Sequence, residues 1–227
     1  MIFKNINSNM IKGLMISELS PISKPQMRTE ITTIDGRDGD IVNNLGYASY
    51  DKTLKIGLTY DYDINEIIKY FSGEGNLILS NEVDKYYVAS CNYQIDYERL
   101  LRFKTANVKF HVQPYKYKLN EKATELEITE ETELIVINEG LENSKPIITL
   151  YGSGIINISI NGISCFEINI DDEYVVIDSL QEEAYKDSIL KNRNMNGKFP
   201  SLNSGENVIT WTGNLTKIIV EPKSRWL

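Results

Sequence analysis

One histidine, two cysteines and 32 carboxylates are the groups from which this 227-residue chain could build reactive chemistry. A His-rich metal site needs several imidazoles, and a Ser or Cys triad needs a histidine brought to its nucleophile. His111 stands alone inside the apolar run Val108–Val112, near Pro114, and reads as structural. A glycosidase needs only two carboxylates, but so many acidic residues make neighbours such as Asp171-Asp172 and Glu182-Glu183 expected by chance. No Walker loop or dinucleotide fingerprint is present, and Gly73-Glu-Gly75 follows a helix instead of opening one. Gly36-Arg-Asp-Gly39 reads as a turn; its residue order is not the Arg-Gly-Asp of adhesion motifs. No catalytic, cofactor-binding or metal-ligating residue is therefore assigned. The chain is read as a non-enzyme without cofactor.

Met1–Ser20 lacks the basic segment, apolar core and cleavage site of a signal peptide, so Cys91 and Cys165 are expected as reduced, inert thiols rather than a disulfide or metal pair. Two tryptophans remain. Trp211, between Ile209 and Gly213, could stack on a sugar if exposed, but core or inter-domain packing is the favoured reading. Trp226 is expected to dock the C-terminal end on a neighbouring surface.

The elements that would position these groups are mostly strands. The chain holds 31 Ile and 14 Tyr against 5 Ala, a composition that suits pleated, half-buried surfaces rather than helices. From Ile31 to Leu58, strands are broken by Asp35-Gly36 and Asp38-Gly39, which favour hairpin turns. Asp40–Tyr50 is polar and reads as a loop or an extended arm. One helix is expected over about residues 63–72. Asp63 is its N-cap, Glu66 occupies the capping-box position, Ile64, Ile67, Ile68 and Phe71 form one stripe, and Gly73 supplies the left-handed exit. Strands then resume at Leu77–Leu79, Tyr86–Ser90 and Arg102–Val112.

An acidic stretch from Pro114 to Glu133 reads as a solvated linker or edge. It places a junction near residues 116–125 and domains at 1–118 and 119–227. Beyond it, Ile156, Ile158 and Ile160 alternate with polar residues, Asn161-Gly162 follows, and Phe166, Ile168 and Ile170 alternate again, a strong hairpin signal. Val175–Ile177, Val208–Thr212 and Leu215–Val220 add strands, with a turn at Gly213-Asn214, and suggest an antiparallel sandwich. Asp178–Lys191 is ambiguous: Asp178 and Gln181 look like a helix start, but the apolar residues fit no period. A net charge of −8 weighs against non-specific binding to nucleic acid or anionic lipid. No apolar run approaches the ~18 residues of a membrane helix. Two β domains without an active site point to binding or assembly.

The C-terminal stretch Asn196-Gly-Lys-Phe-Pro-Ser-Leu-Asn-Ser-Gly-Glu-Asn-Val-Ile-Thr-Trp-Thr-Gly213, with Val220-Glu-Pro-Lys-Ser-Arg225, resembles the end of the distal tail proteins of long-tailed phages. Gly36–Gly39, Gln113-Pro-Tyr115, Asn138-Glu-Gly140 with Pro146, Gly152-Ser-Gly154, and Val176–Ser179 with Ala184-Tyr185 resemble further pieces of that family in the same order. The inserted carbohydrate-binding module of longer members is not seen. The resemblance implies a mainly β fold: a tail-tube-like N-terminal sandwich or barrel with one helix, and a galectin-like C-terminal sandwich. It implies strands over Asp178–Lys191. It also implies a homohexameric ring at the tail tip of the virion, with a central channel for DNA. The implied partners are the tail tube protein, the tail-associated hub, the tape measure, and receptor-binding proteins on the rim. The alternative from a different class is a carbohydrate-binding sandwich module using Trp211; a glycosidase built on a carboxylate pair is the third reading.

Overall fold

Alternation with period two, rather than long apolar runs, writes the sheets of this chain. The computed structural model describes residues 1–227 and divides into two units, Met1–Leu119 and Asn120–Trp226. In the first lie β1 (Ile2–Phe3), β2 (Ile6–Asn7), β3 (Leu14–Glu18), β4 (Met27–Thr33), β5 (Asp40–Tyr47), β6 (Tyr50–Leu58), α1 (Ile64–Tyr70), β7 (Gly73–Ile78), β8 (Lys85–Cys91), α2 (Tyr97–Phe103) and β9 (Thr105–Lys118). The antiparallel order is β2-β1-β7-β8-β9-β6-β3, while β4 and β5 pair only with each other. Leu54 and Ile56 of β6 and Val108, Phe110 and Val112 of β9 point inward, each fully buried. Between them, Thr53, Lys55, Asn107 and Lys109 face solvent.

Helix α1 closes this core. Asp63 Oδ1 accepts hydrogen bonds from the N–H groups of Asn65 at 2.9 Å and Glu66 at 3.3 Å, satisfying two of the donors a helix start leaves free. Glu66 does not complete the capping box; its carboxylate accepts the Lys12 N–H at 3.1 Å instead. Ile67, Tyr70 and Phe71 are buried, with Tyr70 edge-on to both Phe3 and Phe71, whereas Ile68 turns outward. Asp63→Ala is expected to lower the stability of the chain by about 1 kcal/mol, measured as a shift in urea midpoint at constant slope. Helix α2, capped by Asp96 through the Arg99 N–H at 2.8 Å, was not expected from the sequence. Only Leu100 among its residues is buried, so no stripe announces it, and the strand read from Arg102 begins instead at Thr105.

The second unit holds β10 (Thr124–Glu127), β11 (Glu133–Asn138), β12 (Ile147–Ile160), β13 (Ile163–Ile170), β14 (Tyr174–Asp178), β15 (Glu183–Lys186), β16 (Ile189–Leu190), β17 (Met195–Gly197) and β18 (Gly205–Glu221). The two long strands β12 and β18 pair along their lengths at the centre of one nine-stranded antiparallel sheet. Residues 147–151 of β12 and 217–220 of β18 carry β14, with β15 and β16 beyond it, on one side and β10 on the other; residues 154–160 of β12 carry β13 and, through it, β17, and residues 205–210 of β18 carry β11. The core between is Ile-rich: Ile148, Ile156, Ile158, Ile168, Ile177, Ile209 and Ile218 are all fully buried. Asn161 (φ 53°) and Gly162 (φ 78°) make the expected hairpin turn, with both central residues at the positive φ of a type I′ turn.

Three readings are corrected here. Gly213-Asn214 is not a turn between two strands, because β18 runs on through it. A Cβ on Gly213 would lie 2.3 Å from Ile155 O, and one on Gly152 2.3 Å from Asn214 O, so glycine is what lets the crossing backbones bend together. Asp178 does cap, accepting the N–H groups of Leu180 and Gln181 at 2.9 and 3.1 Å, but it caps a tight turn into β15 and not a helix. The acidic stretch is partly sheet. Lys217 on β18 lies between Glu125 and Glu127 of β10, 2.9 Å from the latter, which cancels charge across the ladder.

A candidate assembly arm and its anchored root

Residues 27–47 form a hairpin that leaves the first unit's sheet. Seven residues in β4 and eight in β5 give it a reach of about 25 Å. The register sets Ile31 opposite Val42, Thr32 opposite Ile41 and Thr33 opposite Asp40. The tip is Gly36-Arg-Asp-Gly39, with Gly36 and Gly39 at φ 82° and 76° and the Arg37 N–H bonded to Ile34 O at 3.2 Å. Of Asp40–Tyr50, which the sequence reads as a loop or an extended arm, residues 40–47 are thus the return strand of an arm and Tyr50 already belongs to β6. From Arg28 to Gly46 every residue except Ile41 is exposed, including Ile31 (60%), Ile34, Val42 (55%) and Leu45. A two-stranded hairpin with nothing against either face is marginal in water, and these apolar side chains sit in cross-strand positions that would suit a packed surface.

The root is held as firmly as the arm is bare. Lys52 on β6 is fully buried, and its ammonium donates to Pro21 O at 3.1 Å and lies 4.7 Å from the Tyr87 ring centre. Asn81 Nδ2 donates to Ser20 O at 3.2 Å. The Ala48 N–H reaches Gln26 O at 2.8 Å, and Tyr47 meets Tyr115 edge-on. Next to Lys52, Lys116 Nζ pairs with Glu82 Oε1 at 2.5 Å, and the Tyr87 hydroxyl donates to the other Glu82 oxygen. Two lysines and one carboxylate share this pocket. Burial pushes the Glu82 carboxyl up, but the hydrogen bonds from Lys116 and Tyr87 and the charges of both lysines outweigh it and hold Glu82 below its ordinary range. Burial, against the attraction of Glu82, lowers the Lys52 ammonium.

The residues weighed for chemistry are dispersed. His111 Nδ1 lies 3.0 Å from Asp51 Oδ1, which also accepts the Tyr93 hydroxyl at 3.0 Å, with Lys109 3.5 Å from the other oxygen; Ser90 of β8 stands opposite His111 in the register but makes no hydrogen bond to it. Cys91 is buried, and that burial pushes its thiol up to about 11. Cys165 is half-buried in the other unit, also raised by burial. Both thiols are free. Asp171 binds Lys191 at 2.8 Å and Asp172 binds Lys186 at 2.9 Å, so this acidic pair serves two separate salt bridges. Trp211 packs against the core of the second unit, and Trp226 is half-buried in a two-residue strand. No group of three His, Cys, Asp or Glu residues could hold a metal ion, and no helix is long and apolar enough to cross a membrane.

Solved structures similar to this chain include phage proteins. The chain matches the crystal structure of SPP1 Dit (gp 19.1), described as a paradigm of the hub adsorption apparatus in phages infecting Gram-positive bacteria. The TM-score is 0.69 at 12% identity, covering 100% of this chain and 98% of that one. Two structures of the phage p2 baseplate in its activated conformation, with Sr and with Ca, match at a TM-score of 0.44 and 10% identity, covering 92% of this chain and 90% of theirs. No protein-family model and no curated protein matches the sequence. The fold is therefore Dit-like over the whole chain: mainly β, in two antiparallel units.

Proposed function

We propose that this protein is a non-catalytic structural hub of a phage tail tip, in which six copies close into a ring around a channel for DNA. The observation that carries the reading is the end-to-end correspondence in fold with SPP1 Dit. The arm supplies a means of closure. A head-to-tail contact, in which one copy's arm lies on the next copy's first unit, closes when its rotation divides a full turn. In such a ring the first unit faces the tail tube. The tail-associated hub and tape measure lie on the axis, and receptor-binding proteins attach at the rim. A charge of −8 per copy, multiplied around the ring, repels phosphate and leaves DNA free to slide. Light scattering on the eluted protein tests this: a species of six times the 26.0 kDa chain mass is expected, seen as rings in negative stain. A monomer at every concentration, alone and mixed with the cognate tail tube protein, would overturn it.

A further inference from the structure

One edge of the second unit's sheet lacks the guards that close the others. Of the strands that end the sheet, β16 has two residues and β17 three, and β10 carries Glu125 and Glu127 beside Lys217. Short length and charge are common means of keeping an edge from pairing with another chain. The centre of β11 has neither. Its six residues pair with β18 alone, and the outward side chains at its centre are Ile135 (49% exposed) and Ile137 (58%). Register sets Ile135 opposite the half-buried Val208, which widens the apolar strip by one strand.

The backbone of this edge is open as well. In an antiparallel ladder a residue turns its N–H and C=O to the same side. The Val208 N–H donates to Asn161 Oδ1 at 2.9 Å, and Val208 O accepts the Asn161 N–H at 2.8 Å, so Val208 faces β12. Its neighbours Asn207 and Ile209 therefore face β11, where they pair with Val136 and Leu134. By the same alternation Glu133, Ile135 and Ile137 turn their N–H and C=O groups away from β18, and no hydrogen bond within the chain reaches them. Ile135 and Ile137 thus present a free backbone together with an exposed apolar side chain. An extended segment adds to such an edge as a further strand, with main-chain bonds giving affinity and side chains giving selectivity.

Charge chooses the occupant. Glu133 precedes the strip and Glu206 stands opposite Ile137; both are exposed and outside every ion pair of the chain. Residues 120–226, the second unit, hold 18 Asp and Glu against 9 Lys and Arg. Two copies paired edge to edge about Ile135 would bring Glu133 of one to about 10 Å from Glu206 of the other, two strand spacings away, where like charges still repel. A segment with basic ends meets attraction at both places instead.

We infer that β11 is a docking edge for an extended segment of another polypeptide, one whose alternating apolar side chains are flanked by Lys or Arg. The inference rests on the second unit's own edge and does not depend on ring closure. The probe is the acetylated peptide Lys-Val-Thr-Val-Thr-Val-Lys, titrated into the full chain and followed by amide hydrogen exchange. Saturable binding is expected, and it slows exchange at Ile135 and Ile137, which exchange freely in the unbound protein. The same peptide with Glu at both ends is expected to bind about tenfold more weakly or worse. So is one with N-methyl groups on its valines, whose N–H groups would face the edge. Ile137→Lys puts a repelling charge in the strip, and Ile135→Pro removes an N–H that makes no internal bond. Each is expected to weaken binding about tenfold, with the urea midpoint as the control for folding. Absence of saturable binding, or equal binding of the Glu-ended peptide, would overturn the proposal. So would binding that leaves exchange at Ile135 and Ile137 unchanged or survives both substitutions. Self-association of the chain that Ile137→Lys dissolves would also overturn it, since the edge would then belong to a second copy.

Discussion

Replacing residues 28–46 with a short Gly-Ser turn is expected to leave monomers in place of the proposed ring while the folded units keep their urea midpoint. Among those residues only Ile41 is even half-buried, and the hairpin pairs with no other strand, so removing it takes nothing from either core. Its contribution lies between copies. Four exposed side chains, Ile31, Ile34, Val42 and Leu45, covered by a neighbour would give on the order of 1–2 kcal/mol each. That is several kcal/mol per contact before ordering costs, and it is repeated at every contact of a ring. Ile31→Asp with Val42→Asp is the sharper version, because these residues face each other across the arm and would bring two charges into one buried patch. Light scattering reads the mass and urea unfolding reads the fold. An unchanged ring mass in either variant rules the arm out as the element of closure.

The second large effect is expected at the root. In Glu82→Gln, Lys116 loses its ion pair and the buried Lys52 loses the nearest opposing charge, at side-chain exposures of 7% for Lys116 and 9% for Glu82 in the native pair. Stranding buried charge in this way costs about 3–5 kcal/mol. The same group sets an acid limit. Because Glu82 titrates lower in the folded state than in the unfolded chain, its contribution is complete above the ordinary carboxylate range of about pH 4.3. It fades as pH falls through the lowered folded value. Lys52 acts on the alkaline side: its ammonium is depressed in the folded state, so stability rises with pH between that value and the ordinary lysine range. Urea unfolding from neutral to acid pH should show a loss in the native protein that is largely missing in Glu82→Gln. A variant within about 1 kcal/mol of the native protein across that range would show the cluster to be energetically idle.

Much of the frame was readable because local chemistry and tertiary position agree. Asp63 caps α1, Asn161-Gly162 turns between β12 and β13, and the alternating isoleucines of the second unit are the buried ones. Several residues that carry the phage-tail resemblance also have visible structural tasks. Asn138 is buried, and its amide donates to Leu202 O at 3.3 Å and Asn203 O at 3.2 Å; Leu202 itself is fully buried. What was not readable depends on long-range pairing. Lys52 falls in phase with the inward Leu54 and Ile56, where a lysine reads as the end of the buried run until Pro21 and Glu82 are brought over it. The arm's return strand has Asn43, Asn44 and Gly46, which signal a loop, and only the facing β4 makes it sheet.

The seventeen- and fourteen-residue strands β18 and β12, paired at the centre of the second unit's nine-stranded sheet, carry a mechanical implication. Every other strand of that sheet attaches to one of these two directly or through a neighbour. Tension entering at one end is therefore carried across the whole unit, and the unit gives way in a single step instead of fraying layer by layer.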